Sequence, residues 1–206
     1  MPDHDAPMTW DGTFGMAPST EGQAESIELV GTSLRLTGTI TLGLFGRLTD
    51  LINASSGYLR VRDARLLRSN GEQTDLVLPE LMVERDEISF IAQHHAPRPE
   101  PGSAGGFIEP DFGATAEVRK AREFVLFTPG HTVTGKVHLY GQTDLEGFVG
   151  SEVPRFVPVT DVTTRSLADR RIVSRYDFVL INRTQMIAAS EIGRKGDIEP
   201  EDLPEL

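Results

Sequence analysis

Cysteine is absent from the 206 residues, which excludes disulfides, thiol catalysis and Cys-based zinc or iron–sulfur sites together. Long apolar runs are missing as well. Phe124-Val125-Leu126-Phe127 is typical of the longest, far short of the ~20 residues that a membrane-spanning helix needs. The first twenty-five residues hold Asp3, Asp5, Asp11, Glu21 and Glu25 but no Lys or Arg, so the basic start and apolar stretch of a secretory signal are both lacking. A cytoplasmic protein without membrane insertion is the expectation. No segment sustains a long apolar period of 3.6 residues, which argues against a helical domain.

The remaining composition is that of a globular chain, with 38% hydrophobic and 25% charged residues. Its net charge of −11 is unevenly spread. Residues 27–92 carry seven basic and nine acidic side chains, and residues 118–192 carry ten and eight. The two main regions are therefore nearly neutral, and the acidity sits in the flanks. Nucleic-acid binding draws much of its affinity from Lys and Arg on phosphates. Acidic segments around neutral units instead suit solubility or contact with protein.

What is present is a repeat. Leu36-Thr37-Gly38-Thr39-Ile40-Thr41-Leu42 is matched by Val133-Thr134-Gly135-Lys136-Val137-His138-Leu139, and Thr49-Asp50-Leu51 by Thr143-Asp144-Leu145. Tyr58 to Ala64 then matches Phe156 to Val162, and Leu81 to Ile88 matches Val179 to Met186. Asp63 precedes Arg85 by 22 residues, and Asp161 precedes Arg183 by the same 22. Four blocks in one order indicate a duplication.

Each block is rich in β-branched and aromatic residues punctuated by Gly, Pro or Asn, and reads as strand. Pro129-Gly130 and Asn70-Gly71 mark turns. The segments from Thr49 and from Thr143 each predict one short helical turn capped by Thr or Asp. The expected architecture is all-β: two tandem small five-stranded barrels with short helical turns. Residues 26–92 form copy one and 118–192 copy two, joined by a Pro/Gly linker over 93–117. Acidic tails expected to be disordered occupy 1–25 and 193–206. A unit of this size is close to the lower limit for independent stability. Packing of the copies on each other, or oligomerisation, is therefore favoured.

The block order resembles the Sm-like (Sm, Lsm and Hfq) small β-barrel. There, a Gly-containing strand leads through an Asp-containing segment to a strand ending in an acidic residue. An apolar strand then turns through an Arg into another. Gly38, Asp50, Asn53 and Asp63 fall on the first motif and Val83 to Ile88 on the second. Copy two offers Gly135, Asp144, Asp161 and Ile181 to Met186, with Gly147 in the place of Asn53. The chain is also similar to uncharacterised bacterial small β domains. The Sm-like resemblance implies RNA contacts, for which Asn53, Arg60, Arg62, Arg85 and Arg183 are the candidate RNA or anion ligands.

The recurring Asp63/Arg85 and Asp161/Arg183 pairs could hold an anion. The favoured reading is structural, with Asp ending a strand and Arg at a tight turn. His131 and His138 lie an odd number of residues apart on one strand and face opposite ways, so they cannot share a metal. His94-His95 lies in the linker without a carboxylate cluster, and Ser103 to Gly106 lacks the strand and helix of a phosphate loop. No nucleophile or acid–base pair has motif support, and neither a metal nor a cofactor is expected. Gly43-Leu44-Phe45-Gly46 puts Leu44 and Phe45 on a loop, either as a knob for a partner or as a plug for the barrel end. The leading expectation is a non-enzymatic scaffold or adaptor that binds protein partners or self-assembles. The alternatives are an Sm-like RNA-binding protein and a small-ligand sensor at the groove between the repeats.

Overall fold

A computed structural model describes residues 22–68, 71–93, 120–139, 144–151 and 154–192. Copy one comprises β1 (Ala24–Gly31), β2 (Arg35–Thr41), α1 (Leu48–Ala54), β3 (Tyr58–Leu67), β4 (Gln73–Glu84), a 3-10 turn (Arg85–Glu87) and β5 (Ile88–Gln93). Copy two follows the same order with β6 (Lys120–Phe127), β7 (His131–Leu139), α2 (Leu145–Gly150), β8 (Phe156–Ser166), β9 (Val173–Asn182), a 3-10 turn (Arg183–Gln185) and β10 (Ala188–Ile192). The linker core, most of the N-terminal tail and the C-terminal tail lie outside the described residues, as do Asn70 and Thr143.

The all-β expectation holds, but the strands do not form two separate closed barrels. They join in one open antiparallel sheet of ten strands, in the order β10-β6-β7-β8-β9-β5-β1-β2-β3-β4. The link is β5 of copy one against β9 of copy two, with Phe90 opposite Ile181, Ile91 opposite Leu180 and Ala92 opposite Val179. Among the described residues neither β4–β5 nor β9–β10 pairs within its own copy. The reason lies in the two inner strands. Ile88 to Ala92 and Val179 to Asn182 are buried without a break, the pattern of strands covered on both faces rather than half-exposed.

The cores mix the copies accordingly. Phe156 and Leu180 of copy two pack with Leu29, Leu36, Ile52 and Ile91 of copy one. In return, Val30, Phe90 and Ala92 of copy one pack with Phe124, Val133 and Val179 of copy two. Full burial of a residue such as Phe or Leu stabilises by about 1.5–3 kcal/mol. Each copy thus finishes its neighbour's core.

The repeated Gly and Asp belong to one bend. Asp63 and Asp161 do not end strands; each sits inside one with φ of 50° and 53°, the left-handed region that costs a non-glycine residue about 1–2 kcal/mol. The pairing of β2 with β3 shifts register between Thr37 and Thr39, and that of β7 with β8 between Thr134 and Lys136. Gly38 and Gly135 stand at those bulges. A Cβ on Gly38 would lie 2.5 Å from Val61 Cγ1 and 2.9 Å from the Arg62 carbonyl oxygen. On Gly135 it would lie 2.7 Å from Val159 Cγ1. The bulge adds the bend that lets each half-sheet wrap its core.

Candidate functional site

The candidate polar geometry lies under the short helix of each copy and at the junction of the copies. Arg85 follows β4 and turns under α1, where its Nη2 donates to the Ile52 carbonyl at 2.8 Å and its Nη1 to that of Ser55. Arg183 does the same in copy two, donating to Phe148 and, at 3.1 Å, to Ser151. Each guanidinium also covers a ring, Phe156 at 5.5 Å and Phe148 at 4.6 Å. Helix ends leave carbonyls unpaired, and a planar guanidinium satisfies two of them at once. Burial holds both guanidinium pKa values below the ordinary arginine range, for Arg85 with a further contribution from nearby Arg155. The Asp/Arg pairs singled out by spacing therefore do not meet; Asp161 takes Lys136 Nζ at 2.8 Å instead.

These carbonyl contacts reset the match between the two helices. Ile52 corresponds to Phe148 and Ser55 to Ser151, so Asn53 corresponds to Val149 and not to Gly147. The helices also start differently. Asp144 caps α2 by accepting the Gly147 N–H at 2.8 Å, as the sequence predicts. In copy one, however, α1 starts after Arg47 with no side-chain cap.

Asn53 ties the copies together. Its amide donates to the Phe156 carbonyl at 3.0 Å and its carbonyl oxygen accepts the Phe156 N–H at 2.8 Å. Beside it, buried Asn182 donates to the carbonyls of Arg85 at 3.1 Å and Ile88 at 2.8 Å. Arg155 pairs with Asp86, and Gln185 donates to the Asp86 carbonyl. A second polar group lies nearer the other end of the junction. Glu28 binds Arg35 at 2.6 Å and accepts the Tyr176 hydroxyl at 3.2 Å. Phe90 lies edge-on to His131 and to Tyr176, with centroids 5.4 and 6.4 Å away. Burial and the charge of Arg35 lower the His131 pKa, against an opposing pull from Glu28.

The five candidate RNA or anion ligands are not brought together. Asn53, Arg85 and Arg183 are engaged as described. Arg60 and Arg62 lie exposed on β3, with Arg60 3.6 Å from Glu80. Leu44 and Phe45 do not plug a core. Leu44 is 94% exposed, while Leu42, Leu48 and Ile52 fill that end. The groove between the repeats is an open depression of about 440 Å³ with Gln93 on one side and Asp161, Thr163, Arg175, Tyr176 and Asp177 on the other.

Sequence reasoning missed the roles of Asn182 and Arg155 and the placement of β4 and β10 at the outer edges of the sheet. The available signal was the contrast between unbroken apolar Phe178-Val179-Leu180-Ile181 and its counterpart Glu80-Leu81-Met82-Val83, which begins with a charge after Pro79. Comparison with family models, curated proteins and solved structures finds no match for this chain.

Proposed function

We propose that this chain is a non-enzymatic scaffold or adaptor of the cytoplasm that binds protein by adding a strand to a free edge of its sheet. One observation carries the reading. Inside the chain, β9 of one copy is added to β5 of the other, and the two counterpart strands, β10 and β4, are left as the outer edges. An outer strand presents a row of backbone donors and acceptors to any extended chain that fits. The duplicated unit, read as an Sm-like small barrel completed by its neighbour, suits such a role.

The nucleic-acid alternative has less behind it. Three of its five residues use their polar atoms within the fold, and the chain carries a net −11. The sensor alternative rests on an open groove bearing two carboxylates and one guanidinium.

The test is affinity capture from the source cell, followed by quantitative mass spectrometry, with wild type beside Ala189→Pro and Met82→Pro. Proline removes a backbone donor from the edge while leaving the inner junction intact. Loss of a reproducible set of bound proteins in one or both variants is expected. An unchanged set, or nucleic acid recovered equally with all three, would sink the reading.

A further inference from the structure

We infer that the partner of the outer edges is a second copy of this chain, added head to tail with β10 of one molecule against β4 of the next. The inference rests on the strand-edge reading above and names its occupant and register. The internal junction is the template. Counting from the matched arginines, Met82 corresponds to Leu180, Tyr58 to Phe156, Ile187 to Ser89 and Ala189 to Ile91. The pairing of Ile91 with Leu180 therefore becomes Ala189 with Met82 of the next molecule, flanked by Ala188 with Val83 and Ser190 with Leu81.

Exposure supports this. At the internal junction Phe156 and Leu180 are fully buried, and Ser89 is 1% exposed. Their counterparts are large apolar side chains open to solvent: Tyr58 at 56%, Met82 at 48% and Ile187 at 68%. Val149, at 48%, stands where Asn53 meets Phe156 in the internal junction. Two of these side chains lie beside each edge, Tyr58 and Met82 by β4 and Val149 and Ile187 by β10. Joining β10 to β4 would place Tyr58 and Met82 over the open end of copy two, as Phe156 and Leu180 close copy one.

Pro79 fits the same register. It lies within β4, and a proline inside a sheet is confined to strands at an edge. Its counterpart is Asp177, beyond the Val179–Ile181 stretch that pairs with β5. Proline there lies outside Leu81 to Val83 and leaves that stretch open to a new strand.

The outer junction is also built to be weaker. Glu84 replaces Asn182, Thr184 replaces Asp86 and Gly57 replaces Arg155. A carboxylate cannot donate to the carbonyls that Asn182 satisfies, and the Arg–Asp pair is gone. A contact between unlike faces repeats until it closes as a ring or continues as a filament. Such a contact here would be reversible, whereas the covalently linked inner one is permanent.

The full chain supplies a clean test because it has no cysteine. Light scattering over a concentration series should give masses at multiples of 22.6 kDa, falling to one chain in Met82→Asp with unchanged far-ultraviolet dichroism. Oxidised Met82→Cys/Ala189→Cys should give an intermolecular ladder or closed oligomer, and Leu76→Cys/Ala189→Cys should not. Glu84→Asn should move the assembly midpoint at least tenfold lower in concentration. A wild type that stays monomeric at every concentration, with no Met82–Ala189 cross-link, overturns the inference. If such a monomer still loses captured proteins on Ala189→Pro, the strand-edge reading survives and only self-pairing fails. Cross-linking through Leu76 instead overturns the register.

Discussion

Asn53 and Phe156 exchange both hydrogen bonds of a peptide group: the side-chain amide of one binds the backbone N–H and C=O of the other, at 2.8 and 3.0 Å. A helix in the first copy thereby acts as the strand partner for the first residue of β8. Asn53→Ala should leave these backbone groups without their partner and cost about 1–3 kcal/mol. Urea denaturation checks this. The unfolding transition should also broaden as the copies lose their mutual support.

Arg85→Met should destabilise by about 1–3 kcal/mol or more, because the Ile52 and Ser55 carbonyls lose a charged donor. Arg85→Lys should recover little, since an ammonium lacks the planar fork that reaches both. Arg183→Met should cost less than Arg85→Met, since Arg183 is less buried. Thermal unfolding of the three variants gives the order. Equal stability of Arg85→Met and wild type would remove the guanidinium from its structural role.

Gly135→Ala forces a Cβ to 2.9 Å from the Thr160 carbonyl oxygen and should cost about 1–3 kcal/mol through overpacking. Asp63→Gly should be neutral or stabilising, whereas Asp63→Val should cost about 1–2 kcal/mol because of the left-handed backbone. Denaturant midpoints of the pair decide whether backbone conformation or the carboxylate matters at the bulge.

Exposed Leu44 should tolerate Ser within about 0.5 kcal/mol, while Leu48→Ala, behind the same loop, should cost about 2–5 kcal/mol. Calorimetry separates the two. A large loss in Leu44→Ser would mean that the loop packs against something in solution.

His131 gives the pH dependence a sign. Burial, then Arg35, depress its pKa below the ordinary imidazole value of about 6.5, so the folded state favours the neutral ring. Below that value the unfolded chain binds the proton first. The contribution is therefore fully present above pH ~6.5 and is lost as pH falls through the folded pKa. Urea midpoints between pH 8 and 5 should fall more steeply for wild type than for His131→Phe. Parallel curves would contradict the shift.

The sequence alone determined the duplication, the β character and the positions of Gly38, Asp63, Arg85 and their partners in copy two. These were legible because they are local: strand composition, turn residues and fixed spacing act within a few neighbours. The capping role of Asp144 was legible for the same reason. Tertiary structure decided that Arg85 and Arg183 bind helix-end carbonyls, that Asn53 matches Val149, and that the copies share one sheet. Backbone hydrogen bonds between strand edges carry no side-chain signature, and the partners of Asn53 and Arg85 lie 103 and about thirty residues away. Spacing reported which residues recur. Only the folded chain could report what each one reaches.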